Sequence, residues 1–206
     1  MSTEISSWSR RGFLRVLAVG VSGCALGSLL IPSREAMAQS IEGHLGKIPM
    51  EARWGMTAGS EVYNEVNWKK TLLDKEGREN FTEYMKMSAP ANAAYSKGLA
   101  DRFGLMGRDA KAAAAIISAI VTVWYGPQQR FEIEEATAEK ARVKCLECAF
   151  WNDVQAKKIA DDLCSVNSQY YWEGFAKALN PRLSSTLVKA RPLGDSVCEW
   201  IFELKA

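Results

Sequence analysis

One histidine in 206 residues is the first constraint on what this chain can do. It is His44, set in a polar stretch that reads as solvated, so a Ser-His-Asp or Cys-His catalytic group would have to recruit a residue from a mobile-looking segment. Any metal site must therefore rest on cysteine and carboxylate. A block or stripe of lysine and arginine is missing too: 26 basic residues stand against 24 acidic ones. Nothing in the chain would hold a phosphate backbone, which excludes nucleic acid as a partner. Past Ile31 no apolar run is long and uniform enough to span a bilayer. There is no internal repeat, no low-complexity tract, and no second C-x-x-C of the kind a zinc ribbon needs.

What is present begins at the N-terminus. Ser9-Arg10-Arg11-Gly12-Phe13-Leu14-Arg15, followed by the apolar segment from Val16 to Ile31, has the form of a twin-arginine export signal. Gly20, Gly23 and Gly27 weaken a helix there, and Pro32 closes a run too short for a comfortable membrane span. Ala36-Met37-Ala38 before Gln39 is an A-x-A cleavage site. Val21-Ser22-Gly23-Cys24 forms a competing lipobox, which would leave a lipid anchor on Cys24. The apolar stretch runs on past Cys24, so the reading taken is release into the periplasm after Ala38. Removing residues 1–38 leaves 22 basic and 22 acidic residues and no stable transmembrane span. The Tat translocase becomes an expected partner. It moves folded proteins, often with a metal or redox cofactor installed, so a co-exported redox enzyme is a second expected partner.

Residues 39–66 carry Gly43, Gly46 and Pro49 and read as a linker or N-terminal arm; residues 67–206 read as one α+β domain. Trp68, Leu72, Leu73, Phe81, Tyr84 and Met85 recur at helical spacing from Asn67 to Met87. Pro90 then opens a second helix that stops near Gly104. Asp109 is an N-cap for the apolar helix Ala110 to Tyr125, which Gly126-Pro127 ends. The period then changes to two over 130–134 and 141–145, predicting two strands. Helices at 152–163 and 167–179 and strands at 184–190 and 197–204 follow, the last pair joined at Pro192-Leu193-Gly194-Asp195. The expectation is N-terminal helices packed on a mainly antiparallel sheet of about four strands, with helices interleaved.

Four cysteines survive export, all in the last third: Cys145, Cys148, Cys164 and Cys198. Three readings stay open. An oxidising compartment and an even count allow two structural disulfides. All four thiols, or a mixture with aspartate, could ligate zinc loaded before export. Cys145-Leu146-Glu147-Cys148 could also be a reactive pair, which requires a lowered thiol pKa.

From Gly104 to Leu204 the chain resembles the L-2-amino-thiazoline-4-carboxylic acid hydrolase-like family. The resemblance lies in the order of Gly104 and the apolar helix, Cys145 and Cys148, Asp161-Asp162-Leu163-Cys164, Asn180-Pro181, and the closing Leu193-Gly194-Asp195-Ser196-Val197-Cys198-Glu199-Trp200-Ile201-Phe202. It implies a hydrolase that opens a small heterocyclic or amide substrate at a C–N bond. Such a reaction needs a nucleophile for the amidine carbon and an acid for the ring nitrogen. Cys164 is the candidate nucleophile or metal ligand, and Asp161, Asp162 or Asp195 the candidate acid or base. The competing expectation is a non-catalytic ligand-binding or accessory protein. Tyr170-Tyr171-Trp172 must place one ring outside a buried stripe, as a pocket wall or partner contact, because successive helix positions point about 100° apart.

Overall fold

The computed structural model describes residues 45–205. The expected export signal with Cys24, the expected cleavage site after Ala38, and His44 lie outside the described residues. Residues 45–48 make one turn, with the Ile48 N–H bonded to the Leu45 carbonyl at 3.0 Å. Pro49 begins a separate unit that holds the rest of the chain.

Its first element is α1 (Met50–Arg102), which starts well before Asn67. Ala58, Val62, Val66, Lys69 and Leu73 fall at helical spacing and are all buried, so the stretch 50–66 is core-forming helix rather than linker. The break within α1 also differs from the sequence expectation. It falls at Gly77 (φ 77°, ψ 172°), a conformation that side-chain-bearing residues avoid, and Pro90 sits inside the helix. The Trp68 and Tyr84 ring centroids are 6.0 Å apart, whereas sixteen residues of straight helix would span about 24 Å. The arms 50–76 and 78–102 therefore fold back on each other as a helical hairpin. A glycine costs a helix only about 1 kcal/mol, too little to mark a reversal from sequence alone. Burial of both arms decides it.

α2 (Ala110–Tyr125) follows the expected bounds. Asp109 caps it, accepting the Ala112 N–H at 2.7 Å, and Gly126 ends it at φ 88°. The sheet has the order β1-β2-β4-β3, antiparallel throughout. Its strands are β1 (Arg130–Glu134), β2 (Lys140–Glu147), β3 (Leu183–Lys189) and β4 (Cys198–Leu204). Two helices are interleaved, α3 (Ala149–Ala156) and α4 (Ser165–Leu179). α3 is displaced from the expected 152–163. It starts early because the Cys148 sulfur caps it, accepting the Trp151 N–H at 3.4 Å. It ends early because the chain turns at Lys158, with φ 54°. The α+β expectation holds: α2 packs on β1, β2 and β4, α4 packs on β3, and α1 covers α2, α3 and α4.

Period two gives the sheet two unlike faces. Ala141, Val143 and Cys145 of β2 and Cys198, Trp200 and Phe202 of β4 are buried toward the helices. The other face is a charge ladder. Glu199, fully buried, pairs with Arg142 and, at 3.1 Å, with Lys189. Burial pushes its carboxyl pKa up, but the hydrogen bonds from Lys189 and Arg142 outweigh that and hold it below the usual range. On the helical side α1 and α4 approach backbone to backbone at Gly174. A Cβ there would lie 3.3 Å from the Ala93 Cβ and 3.5 Å from the Ala89 carbonyl oxygen. Among the described residues no helix is long and apolar enough to cross a membrane.

Candidate functional site

The register of β2 and β4 sets Cys145 directly opposite Cys198, both on the buried face. Cys148 stands where β2 gives way to α3, and Cys164 at the N-terminus of α4. Four separate elements thus bring all four thiols to the lining of one cavity of about 30 Å³, room for a water molecule or a single ion. Each sulfur has a partner. Gln129 Nε2 donates to Cys145 at 3.1 Å, and its Oε1 accepts the Ala149 N–H at 3.1 Å, tying the start of β1 to the start of α3. The Arg191 N–H donates to Cys198 at 3.4 Å, and Cys164 lies 3.5 Å from the Ser168 hydroxyl.

The same cavity is lined by Lys69, whose side chain is 1% exposed. Its ammonium pairs with Glu65 and lies 4.7 Å from the Phe150 ring centroid. The second Glu65 oxygen accepts the Tyr125 hydroxyl at 2.9 Å. A buried cation is stable only with such partners. Burial, with Glu65 adding to it, pushes the Tyr125 phenol well above its ordinary range.

Val121, Tyr125, Asn167, Ser168 and Trp172 also line a second, larger cavity of about 630 Å³. This cleft is of small-molecule size. The faces 54–57–61–65–68 and 84–88–92–95 of the two α1 arms form its sides, and α2 and α4 close it. Trp54 is pinned there by its indole N–H, which donates to the Val123 carbonyl at 2.8 Å in the last turn of α2. Tyr171 and Trp172 both line the cleft. The ring left outside the stripe is Tyr170, which lies under the Lys86 ammonium at 5.6 Å.

The aspartates do not join this site. Asp162 Oδ1 accepts the Cys164 and Ser165 N–H groups at 3.0 and 2.8 Å and so caps α4. Asp195 Oδ2 accepts the Ala190 N–H at 2.8 Å and closes the β3–β4 turn. Asp161 is exposed beside Lys70 at 3.5 Å. None of the three lines either cavity. The disulfide reading is also corrected: all four cysteines are free thiols. So is the zinc reading of Cys145, Cys148, Cys164 and Cys198. Among the described residues no group of three or more His, Cys, Asp or Glu side chains is arranged to hold a metal ion.

Burial pushes the Cys164 thiol well up, against the pull of Lys69, and Cys148 is raised by its hydrogen bond with Cys145 and by burial. Cys198 is pushed up by burial to about 11. Below about pH 8.5 folded and unfolded chains both keep these protons, and stability is flat with respect to them. Above it the unfolded chain releases protons first, so stability falls as pH rises toward 11, by roughly 3 kcal/mol for Cys198 alone. Urea unfolding across that window should show the loss, with a shallower slope for Cys198→Ser. Equal slopes would contradict the burial of this thiol.

Lys69 and Glu65 are the residues that sequence reasoning passes over. Lys69 reads as one more charge on a charged helix, and Glu65 falls in the segment taken as a linker. The signal was there: Val62, Val66, Lys69 and Leu73 put a lysine on an apolar stripe, a position lysine rarely takes unless paired. No family model matches the chain, and no curated protein matches it.

Proposed function

We propose that the chain is an exported hydrolase-like enzyme that opens a small cyclic amidine or amide at a C–N bond, with Cys164 as nucleophile. What carries the reading is the convergence of the four thiols and the buried Lys69 on one small cavity that shares five lining residues with a cleft of substrate size. Cys164 is the one thiol of the four that is not fully buried, and its neighbour Ser168 lines both cavities. The resemblance over 104–204 supports the same reaction class.

The resting Cys164 is a neutral thiol, so the proton must leave as the bond forms. Sulfur bonds to the amidine carbon while its proton passes to the ring nitrogen, which then departs as the C–N bond breaks. Water attacks the remaining carbon, the C–S bond to Cys164 breaks, and the thiol regains a proton. Negative charge developing on sulfur faces the Lys69 ammonium, in a site where such charge stabilisation is strong. Because Asp162 and Asp195 are committed to backbone N–H groups, the thiol itself acts as the acid toward nitrogen.

Cys164→Ser is the test, assayed on 2-amino-thiazoline-4-carboxylate and related cyclic amidines. Turnover should fall on the order of 10³-fold, with the thermal midpoint little changed. Unchanged turnover would sink the assignment. The competing reading, a binding protein without turnover, is favoured by the absence of a carboxylic acid from the thiol cavity; binding of the same compounds with no product formed would establish it.

A further inference from the structure

We infer that the large cleft is a binding site for a small organic cation, held against aromatic faces and a carboxylate. The first observation is the charge of its lining. Glu61 and Glu65 are its charged residues, and no lysine or arginine lines it, although the chain has 26 basic residues. Glu65 is spent on Lys69 and Tyr125. Glu61 is exposed on the cleft face of α1 and has no ion pair within 4 Å among the described residues. A ligand of net negative charge would meet only like charge here, whereas the protonated amidine of a zwitterionic substrate would not.

The second observation is where the aromatic rings are exposed. Trp68, Tyr84 and Tyr95 are 43%, 50% and 63% exposed, and all three line this one cavity. Exposed rings gathered in one place mark a binding surface rather than a core. They fall into two pairs. Trp68 meets Tyr84 edge to face at 6.0 Å, and Tyr95 stacks on Trp124 at 6.2 Å. The arms of the α1 hairpin carry three of these four rings, so the bend at Gly77 is what assembles the cage. Aromatic faces carry negative potential and attract a desolvated ammonium, and cages of this composition bind quaternary ammonium groups. A carboxylate at the rim adds long-range attraction without closing the pocket.

The inference concerns binding and does not depend on thiol turnover, so its test leaves out the cysteines. Choline and its neutral carbon isostere, 3,3-dimethylbutan-1-ol, are titrated against the full chain, with tryptophan fluorescence and calorimetry as readouts. Choline should bind about tenfold or more tightly than the isostere. Glu61→Gln, a change at an exposed position, should weaken choline several-fold and leave the isostere unaffected, and Tyr95→Leu should weaken choline with the thermal midpoint preserved. Equal affinity for the two compounds would overturn the inference, because the cleft would then be reading shape alone. Failure of choline to bind at concentrations up to the millimolar range would overturn it as well.

Discussion

Lys69→Met is expected to lower unfolding stability by about 3–5 kcal/mol, the usual cost of removing one partner from a buried ion pair. The lysine side chain is 1% exposed and that of Glu65 16%, so the substitution leaves a carboxylate in a site with little access to water. Its remaining hydrogen bond, from Tyr125 at 2.9 Å, does not neutralise that charge. The double variant Lys69→Met/Glu65→Gln should recover most of the loss, because methionine fills the space and the amide carries no charge. A double-mutant cycle by urea denaturation measures both. A cost under about 1 kcal/mol for the single variant would mean that the pair is effectively solvated. Lys69→Met should also slow alkylation of Cys164, since a cation that favours its thiolate is gone.

Trp172→Ala should cost a comparable amount, about 3–5 kcal/mol, and should do something else besides. The indole is 3% exposed, stacks on Trp200 with centroids 4.1 Å apart and planes 8° from parallel, and lies 5.6 Å from Phe131. It is also among the residues that line both cavities. Removing it opens the thiol cavity to the cleft, so maleimide labelling of the folded protein should accelerate by about tenfold or more. Trp172→Phe keeps a ring in place and should show a smaller loss of stability with little change in labelling. If Trp172→Ala destabilised the protein while the thiols stayed as protected as before, the indole would be core alone and no wall between the two cavities.

Much of the fold could be read from the sequence, for reasons visible at particular residues. Asp109 and Gly126 bound α2 because an N-cap carboxylate and a glycine at positive φ act locally. The strands are legible because alternation survives wherever one face is buried and the other carries charge, as Arg142 and Lys144 do between Ala141, Val143 and Cys145. The hairpin in α1 was not legible. Both sides of Gly77 are equally helical in composition, and the reversal rests on contacts with elements that follow later in the chain. For the site, the four cysteines were named from sequence, and their meeting was expected there only in the zinc reading. It depends on the β2–β4 register and on two helix N-termini, all long-range features. The aspartates misled because capping and acid catalysis favour the same residue type; only Asp162 Oδ1 on the Cys164 and Ser165 N–H groups distinguishes them. The cage of exposed rings was hidden for a related reason: Trp68 and Tyr84 come together only through the reversal at Gly77, and Tyr95 meets Trp124 only when α1 packs on α2.

The most direct measurement is a count of thiols in the chain without residues 1–38, made without reductant. The protein is labelled with maleimide once while folded and once after denaturation, and each sample is weighed intact by mass spectrometry. Four free thiols around one cavity, three buried and Cys164 partly so, give four adducts after denaturation and slow, incomplete labelling before it, with Cys164 reacting first. No adducts after denaturation would mean two disulfides. Four rapid adducts in the folded protein would mean that the thiols are solvated and do not share a buried cavity. Either result would contradict the site described above.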